Sequence, residues 1–482
     1  MFHIIVGIDK NHGIAKDGKL PWPYNKNDMQ HFAHTTIGAP PEGKANAVIM
    51  GRKTWESIDS KYRPLKNRIN VILSRTIHIE GINIYTCADF ESALQFLSAS
   101  PYVHDIFVIG GQEIYEIALR DPRCKSVIVT SFPDAYECDR HLPELPLWFK
   151  LSRSADLGNI VINYYDSLLD LQSSEYQYLS VLHHILENGI PIVDRTGIGT
   201  LASFSSHMQF PIEVINPDAA PIEFKYRVPI MTTKTLFHRG VFEELIFFLQ
   251  GRTNVKPLQK KGIHIWDGNT SREFLDSHGL ENYVEGETGP FYGYQWNHFG
   301  AQYVPEKSGW IENNNGVNQL EECIRLLKTD PYSRRIVLSA WNPVDLPKMC
   351  LPPCHMVYNF CVMPPATLGA KPRLYCAMFQ RSGDMFLGVP FNIYSTALLT
   401  IFMSRAANMV PGGISLTITN AHIYKNHVDQ VKTQLQRHPF KYPVLQIKKE
   451  INTLQDMRAL EFTDCELTEY NKHPAIKADM AI

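Results

Sequence analysis

No two of the nine cysteines in this 482-residue chain are spaced C-x-x-C, and their number is odd. That excludes a disulfide scaffold and reads as a reduced, cytoplasmic protein. Cys350 and Cys354 bracket only Leu351-Pro352-Pro353, and no second Cys/His cluster stands near to complete a zinc site, so no metal is expected. An excess of either charge is also missing: 47 Lys and Arg face 49 Asp and Glu, a formal net charge of −2. There is thus no global basic field for nucleic acid or an anionic membrane, and local arginines have to meet any anionic ligand. The most apolar stretch, Val389 to Met403, is too short to cross a bilayer and carries Asn392, Ser395 and Thr396. Met1 to Lys10 lacks the basic start and apolar core of a signal peptide. Repeats, low-complexity segments and Gly/Ser-rich linkers are absent too.

What is present is globular: 44% hydrophobic and 20% charged residues, on a chain long enough for roughly two to four domains. The first part alternates β-type runs (Phe2 to Ile8, Ala47 to Met50, Arg68 to Leu73, Asp105 to Ile109, Lys125 to Thr130) with helical segments (Asn27 to His34, Ala88 to Leu97, Glu113 to Leu119). Such alternation predicts an α/β unit with a doubly wound, mostly parallel sheet, closed by an edge strand at Ile160 to Tyr165. Near residue 170 the grammar changes. Helices are predicted at Ser174 to Glu187, Gly240 to Leu249, Gln319 to Lys328 and Tyr394 to Asn408. Strands at Arg335 to Trp341, His355 to Val362 and Arg373 to Gln380 are interleaved with them, an α+β pattern. Domains are expected at 1–166 and 175–482, joined by a short junction at 167–174.

Two features of the second part carry chemistry. Pro352 and Pro353 fix the backbone before Cys354, presenting it from a rigid turn at the start of a strand. Alone, such a cysteine is most often a buried structural thiol. Four arginines nearby in pattern (Arg195, Arg334, Arg335, Arg381) sit at strand or turn edges in short polar contexts. Converging guanidinium groups make a phosphate site, and positive charge beside a thiol favours the thiolate a nucleophile needs.

The stretches DRTGIGT (194–200), EELIFFLQGRTN (243–254), IWDGN (265–269), GPFYGYQW (289–296), SRRIVLSAWN (333–342), LPPCH (351–355), QRSGD (380–384), LGVPFNI (387–393) and NAHIYKNH (420–427) resemble thymidylate synthase in order. The resemblance implies that Cys354 attacks C6 of deoxyuridylate. Arg195, Gln380, Arg381 and Ser382 would hold the nucleotide, with Arg334 and Arg335 supplied by a partner subunit. Asn392 would read the uracil edge, and His422 and Tyr424 the ribose. Glu244 would organise the proton-transfer water, and Tyr292 would assist proton removal from C5. Asp384 would contact the pterin of methylenetetrahydrofolate, in a pocket lined by Ile265, Trp266, Asn269, Leu387, Gly388, Phe391 and Met480. The chain departs from the family's pattern at Gly383 (usually cysteine), at Tyr394-Ser395-Thr396 (usually Ala-Ser-Tyr) and at Asn297 (usually arginine).

In the first part, Gly110-Gly111 follows a strand and precedes a helix, where a phosphate can approach the helix N-terminus; a plain strand–helix turn reads the same way. The ordered segments IIVGID (4–9), GKLPW (18–22), NDMQHF (27–32), VIMGRKTWESI (48–58), RPLKNRINVILSR (63–75) and VIGGQEIYE (108–116) resemble dihydrofolate reductase. The resemblance implies that Asp28, backed by Thr130, binds the pterin and promotes its protonation. Val6, Leu20, Phe32, Ile58 and Leu65 would line the folate pocket, with Arg68 on the substrate's α-carboxylate. NADPH would meet Gly51, Arg52, Lys53, Thr54, Ser74, Arg75, Gly110, Gly111 and Tyr115. Together the two resemblances imply a bifunctional enzyme that dimerises through its synthase half. A reductase half kept only as a prop and an RNA-binding regulator are the alternatives.

Overall fold

Hydrophobic β-type runs separated by amphipathic helices do form a wound sheet in the computed structural model, which describes residues 1–193, 197–217, 219–305, 316–365 and 369–480. The chain divides into two units, Met1–Leu171 and Gln172–Ile482.

In the first unit, β1 (Phe2–Ile8), β2 (Ala45–Gly51), β3 (Arg68–Leu73), β4 (Ile84–Cys87), β5 (Val103–Val108), β6 (Cys124–Ser131), β7 (Phe149–Asp156) and β8 (Val161–Ser167) make one sheet in the order β4-β3-β2-β5-β1-β6-β8-β7. Pairing is parallel from β4 through β6 and antiparallel for β8 and β7. The predicted runs lie within a few residues of these strands, because consecutive buried Val, Ile and Phe suit a sheet covered on both faces. Two expectations need correction. The late run is not the edge, since β7 pairs outside β8. The short edge strand β4 also escaped the reading, its IYTC lacking a continuous apolar signal. Helix α1 (Lys26–Ile37) is capped by Asn25, whose side chain accepts from the N–H groups of Asn27 and Asp28.

The second unit is built on a six-stranded sheet. Its members are β9 (Ile190–Ile192), β10 (Thr200–Pro211), β11 (Val337–Ser339), β12 (His355–Met363), β13 (Arg373–Asp384) and β14 (Val410–Tyr424), in the order β9-β10-β14-β13-β12-β11. Only β13 and β14 are parallel neighbours. The long strands β10 and β14 were not predicted, because their polar residues alternate too irregularly. Helix α2 (Gly388–Ala406) is apolar all round and buried, packed on the sheet's inner face with His238–Leu249. The opposite face is left open and carries Val337, Met363, Phe379 and the exposed thiol of Cys361. No described helix is long and apolar enough to cross a membrane.

Candidate active sites

The C-terminal ends of β1, β2, β3, β5 and β6 converge, as ligand sites in open α/β sheets do. They deliver Val6, Gly51, Ser74, Gly110 and Thr130 to one cleft of about 1850 Å³. Leu20, Asp28, Phe32, Arg52, Lys53, Thr54, Ile58, Leu65, Arg68, Arg75, Gly111 and Tyr115 complete its walls. Every candidate residue of the first unit therefore faces the same space. Asp28 is 7% exposed, and burial raises its carboxyl's pKa against the opposing effect of a hydrogen bond with Thr130.

Arg68 is equally buried. Its Nη1 donates to Thr36 Oγ1 at 2.6 Å and its Nε to Lys66 O at 3.0 Å, but it has no carboxylate partner among the described residues. A buried guanidinium on the wall of a cleft, without an acid of its own, suits an anionic ligand group. Gly110 has φ +132°, and a Cβ there would sit 3.3 Å from Thr54 Oγ1, so the backbone stays bare beside the helix starting at Gln112. Tyr115 contributes its ring only, because its hydroxyl donates to Ile5 O at 3.0 Å.

The second site is assembled by strand register. β12 and β13 pair His355 with Gln380, and Arg381 N donates to Cys354 O; β13 and β14 pair Ser382 with Asn420 and Asp384 with His422. Three neighbouring strand ends thus carry Cys354, the 380–384 segment and the 420–424 segment together. Arg381 wraps the turn before Cys354, donating to Pro353 O (2.9 Å) and Pro352 O (2.8 Å), with Nη2 3.8 Å from Cys354 Sγ. The Cys354 N–H donates to the Tyr292 hydroxyl at 2.7 Å, leaving that hydroxyl's own proton free for another acceptor. Cys350, by contrast, is buried in an apolar cluster that pushes its thiol up to about 12, so it is inert packing.

From α2, Asn392 reaches the site with its Oδ1 held by Gln380 Nε2 at 3.1 Å, which fixes the amide's orientation. Gln380 also donates to Ser382 O, while its buried Oε1 has no partner among the described residues. Glu244 accepts from Trp266 Nε1 at 2.8 Å, and burial pushes its carboxyl up to about 7. Asp384 Oδ1 accepts from Phe386 N and Leu387 N, which sets the turn into Gly388 and α2. His422 Nδ1 lies 3.0 Å from Asn420 Oδ1, and its ring is edge-on to Tyr424. Ile265, Trp266, Leu387 and Phe391 pack partly buried on the core; Asn269 is half-buried and Met480 half-exposed.

Two parts of the expected nucleotide site are not brought here. Arg334 and Arg335 are exposed before β11, without an acid partner among the described residues. Arg195 lies outside the described residues, as do Ala481 and Ile482.

The departures from the family pattern have local causes. A Cβ at Gly383 would sit 2.8 Å from Val389 Cγ2 and 3.1 Å from Ile418 Cγ2, so the valine occupies the room a cysteine needs. Asn297 donates to Gly293 O and Phe248 O and accepts from Arg458, which brings a guanidinium to that spot from another helix. Thr396 turns its hydroxyl back to Asn392 O at 2.7 Å.

Several groups close to the site drew no role from sequence. His355 is stacked on Tyr292 at 4.1 Å. His427, fully buried, donates to Asp479 O at 2.7 Å and places Nδ1 4.0 Å from Asp384. Lys234 donates to Phe386 O, and burial drops it to about 7. His355 had a signal, its adjacency to Cys354. Lys234 had none, because a lysine in a Thr-Thr-Lys-Thr segment reads as surface.

Comparison with known proteins finds matches along the whole length of the chain. The thymidylate synthase family matches residues 176–482 and the dihydrofolate reductase family residues 1–159. The bifunctional dihydrofolate reductase–thymidylate synthase 1 of Arabidopsis thaliana is 39% identical, with 100% of this chain and 96% of that protein covered. The bifunctional enzymes of Glycine max and Leishmania major are each 38% identical, again over 100% of this chain and 95% of theirs. With both halves matched by their families and relatives aligned over the full chain, the chain belongs to the bifunctional dihydrofolate reductase–thymidylate synthase family.

Proposed function

We propose that Cys354 is the nucleophile that converts deoxyuridylate to thymidylate, and that Asp28 serves the NADPH-dependent reduction of the dihydrofolate this produces. The observation that carries the synthase reading is the Arg381 guanidinium lying against both the Cys354 turn and its sulfur. A cation there favours the thiolate, which bonds to C6 of the pyrimidine and makes C5 nucleophilic toward the one-carbon unit of methylenetetrahydrofolate. The proton then leaves C5 toward Tyr292 and a water held by Glu244, and the bond between the one-carbon unit and the folate nitrogen breaks to leave a methylene on C5. The released folate gives its hydride to that methylene and becomes dihydrofolate, and the thiolate departs from C6. A carboxyl poised near 7 suits such proton traffic. Asn392, pinned by Gln380, donates to O4 and accepts from N3–H of uracil.

In the first unit, NADPH supplies the hydride when bound. The bare Gly110-Gly111 backbone at a helix start, with Arg52, Lys53, Thr54, Ser74 and Arg75, fits its phosphates. Asp28 faces the pterin and supports its protonation, and Arg68 takes the α-carboxylate. Neither half lacks its chemistry, which disfavours a reductase kept as a prop.

The chain acts as a homodimer, in which Arg334 and Arg335 complete the nucleotide site of the partner subunit. Supporting this are the two exposed arginines beside the open sheet face and that face's apolar side chains, Val337, Met363 and Phe379. The test is a spectrophotometric assay coupling deoxyuridylate and methylenetetrahydrofolate to NADPH oxidation. Cys354→Ser should abolish thymidylate formation and leave reduction of added dihydrofolate near normal. Synthase activity within about tenfold of wild type in that variant would exclude Cys354 as nucleophile.

A further inference from the structure

We propose that His427 is a positioning residue of the thymidylate-forming site, its Nε2–H fastening the extended segment at Asp479 beside the turn that Asp384 sets. The proposal rests on the reading that Asp384, Leu387 and Met480 belong to the methylenetetrahydrofolate pocket.

His427 ends the short turn Lys425–His427 that follows β14, and it is completely buried. Its ring is walled by Phe386 at 5.5 Å and by the edge-on ring of Tyr424 at 5.8 Å. Nδ1 faces Asp384 Oδ1 at 4.0 Å without a hydrogen bond. Among the described residues, the ring's one hydrogen bond runs from Nε2 to Asp479 O at 2.7 Å. A backbone carbonyl can only accept, so Nε2 carries a proton and donates it.

The two sides that His427 joins are held very differently. On the pocket side, Asp384 Oδ1 accepts from Phe386 N at 2.9 Å and Leu387 N at 3.2 Å, and Lys234 Nζ donates to Phe386 O. The turn against which His427 packs is thus closed by its own bonds. On the other side, residues 471–480 form no helix or strand. The start of that segment is anchored: His473 N donates to Thr232 O at 2.8 Å, Thr235 Oγ1 to His473 O at 2.9 Å, and Arg437 Nη1 to Pro474 O at 2.7 Å. After Pro474, Ile476 and Ala478 pack partly buried on the core, while Lys477 and Asp479 are exposed. Among the described residues, the donation from His427 is the one hydrogen bond made by 475–480. A segment without ladder partners opens locally at small free-energy cost, so a single buried donor sets where its last residues lie. His427 thereby ties Met480, one residue beyond Asp479, to the turn that carries Asp384 and Leu387.

The test is limited trypsin digestion of the full-length protein read by mass spectrometry, comparing cleavage after Lys477 with cleavage after Lys472. Lys472 precedes the anchored His473 and reports general loosening, whereas Lys477 lies between that anchor and Asp479. His427→Leu should speed cleavage after Lys477 about fivefold, the worth of one hydrogen bond, and leave cleavage after Lys472 unchanged. His427→Gln places an amide N–H where Nε2 stood and should restore the wild-type rate, whereas His427→Asn falls short of Asp479 O and should not. In His427→Leu and His427→Asn, KM for methylenetetrahydrofolate should rise about fivefold, with kcat and KM for deoxyuridylate within about twofold of wild type. Wild-type cleavage after Lys477 in those two variants, equal acceleration at both lysines, or His427→Gln behaving like His427→Asn overturns the proposal. If His427→Leu does not fold, the Gln/Asn pair decides alone. Failure of the pocket reading shows separately: Met480→Asp would leave KM for methylenetetrahydrofolate at its wild-type value, while the trypsin rates still report the tie at Asp479.

Discussion

Glu244→Gln separates what a buried carboxyl does for catalysis from what it does to stability. Burial pushes Glu244 from its ordinary 4.5 to about 7, with only the Trp266 N–H working in the other direction. A carboxyl whose folded pKa is raised stays protonated in the fold while the unfolded chain ionises. Stability is therefore intact below about pH 4.5, is lost as pH rises from there to about 7, and changes no further above. A shift of this size corresponds to at most ~3 kcal/mol, and the residue's partial exposure to the site lowers that to about 1–3 kcal/mol.

Glutamine keeps the acceptor for Trp266 and never ionises. The variant should then match wild type near pH 4.5 and exceed it at pH 8, raising the melting midpoint of the synthase unit by up to about 5 °C. Thymidylate formation should meanwhile fall by about 10²–10⁴, the usual worth of a positioned proton-transfer group. The assays are thermal unfolding at pH 4.5, 6 and 8 and the release of dihydrofolate followed by absorbance. An equal midpoint difference at all three pH values would refute the burial argument. Activity within about tenfold of wild type would refute the proton-transfer role.

Asp28→Asn should cut dihydrofolate reduction about 10²-fold or more at neutral pH while sparing thymidylate formation. Because the lost function is support of protonation, part of the rate should return as pH is lowered, and a flat pH profile would assign Asp28 a different task. Cys354→Ser and the double change Arg334→Ala, Arg335→Ala, unfolded together and refolded, should recover roughly a quarter of wild-type synthase activity if each site draws these arginines from a partner. The double variant must first prove nearly inactive alone, and no recovery from a verified mixed population would place each site within one chain. Arg68→Met should raise KM for dihydrofolate at least tenfold with little change in NADPH binding, measured by fluorescence titration, since it removes one charge-assisted anion contact.

Much of this protein was legible before any coordinates. Runs of Val, Ile and Phe near residues 4, 48, 71, 107 and 128 can satisfy their backbones only as strands of a covered sheet, and the helices between them force a wound topology. Pro352-Pro353-Cys354 announces a rigid turn with a thiol at its end, and LPPCH, QRSGD and MGRKTWESI carry the family in their order. Side-chain identity and local spacing are one-dimensional properties, and they settle what each segment prefers.

Register is not a property of that kind. Only the pairing of Asp384 with His422 and of His355 with Gln380 brings residues far apart in the chain to one point, because a strand's neighbours depend on the whole sheet. Lys234 and His427 became part of the second site's surroundings only when packing buried them beside Phe386 and Asp384. The irregular strands Thr200–Pro211 and Val410–Tyr424 exist because their partners supply hydrogen bonds that their own sequences do not advertise. The orientation of Asn392 follows from Gln380, through a contact made only in three dimensions.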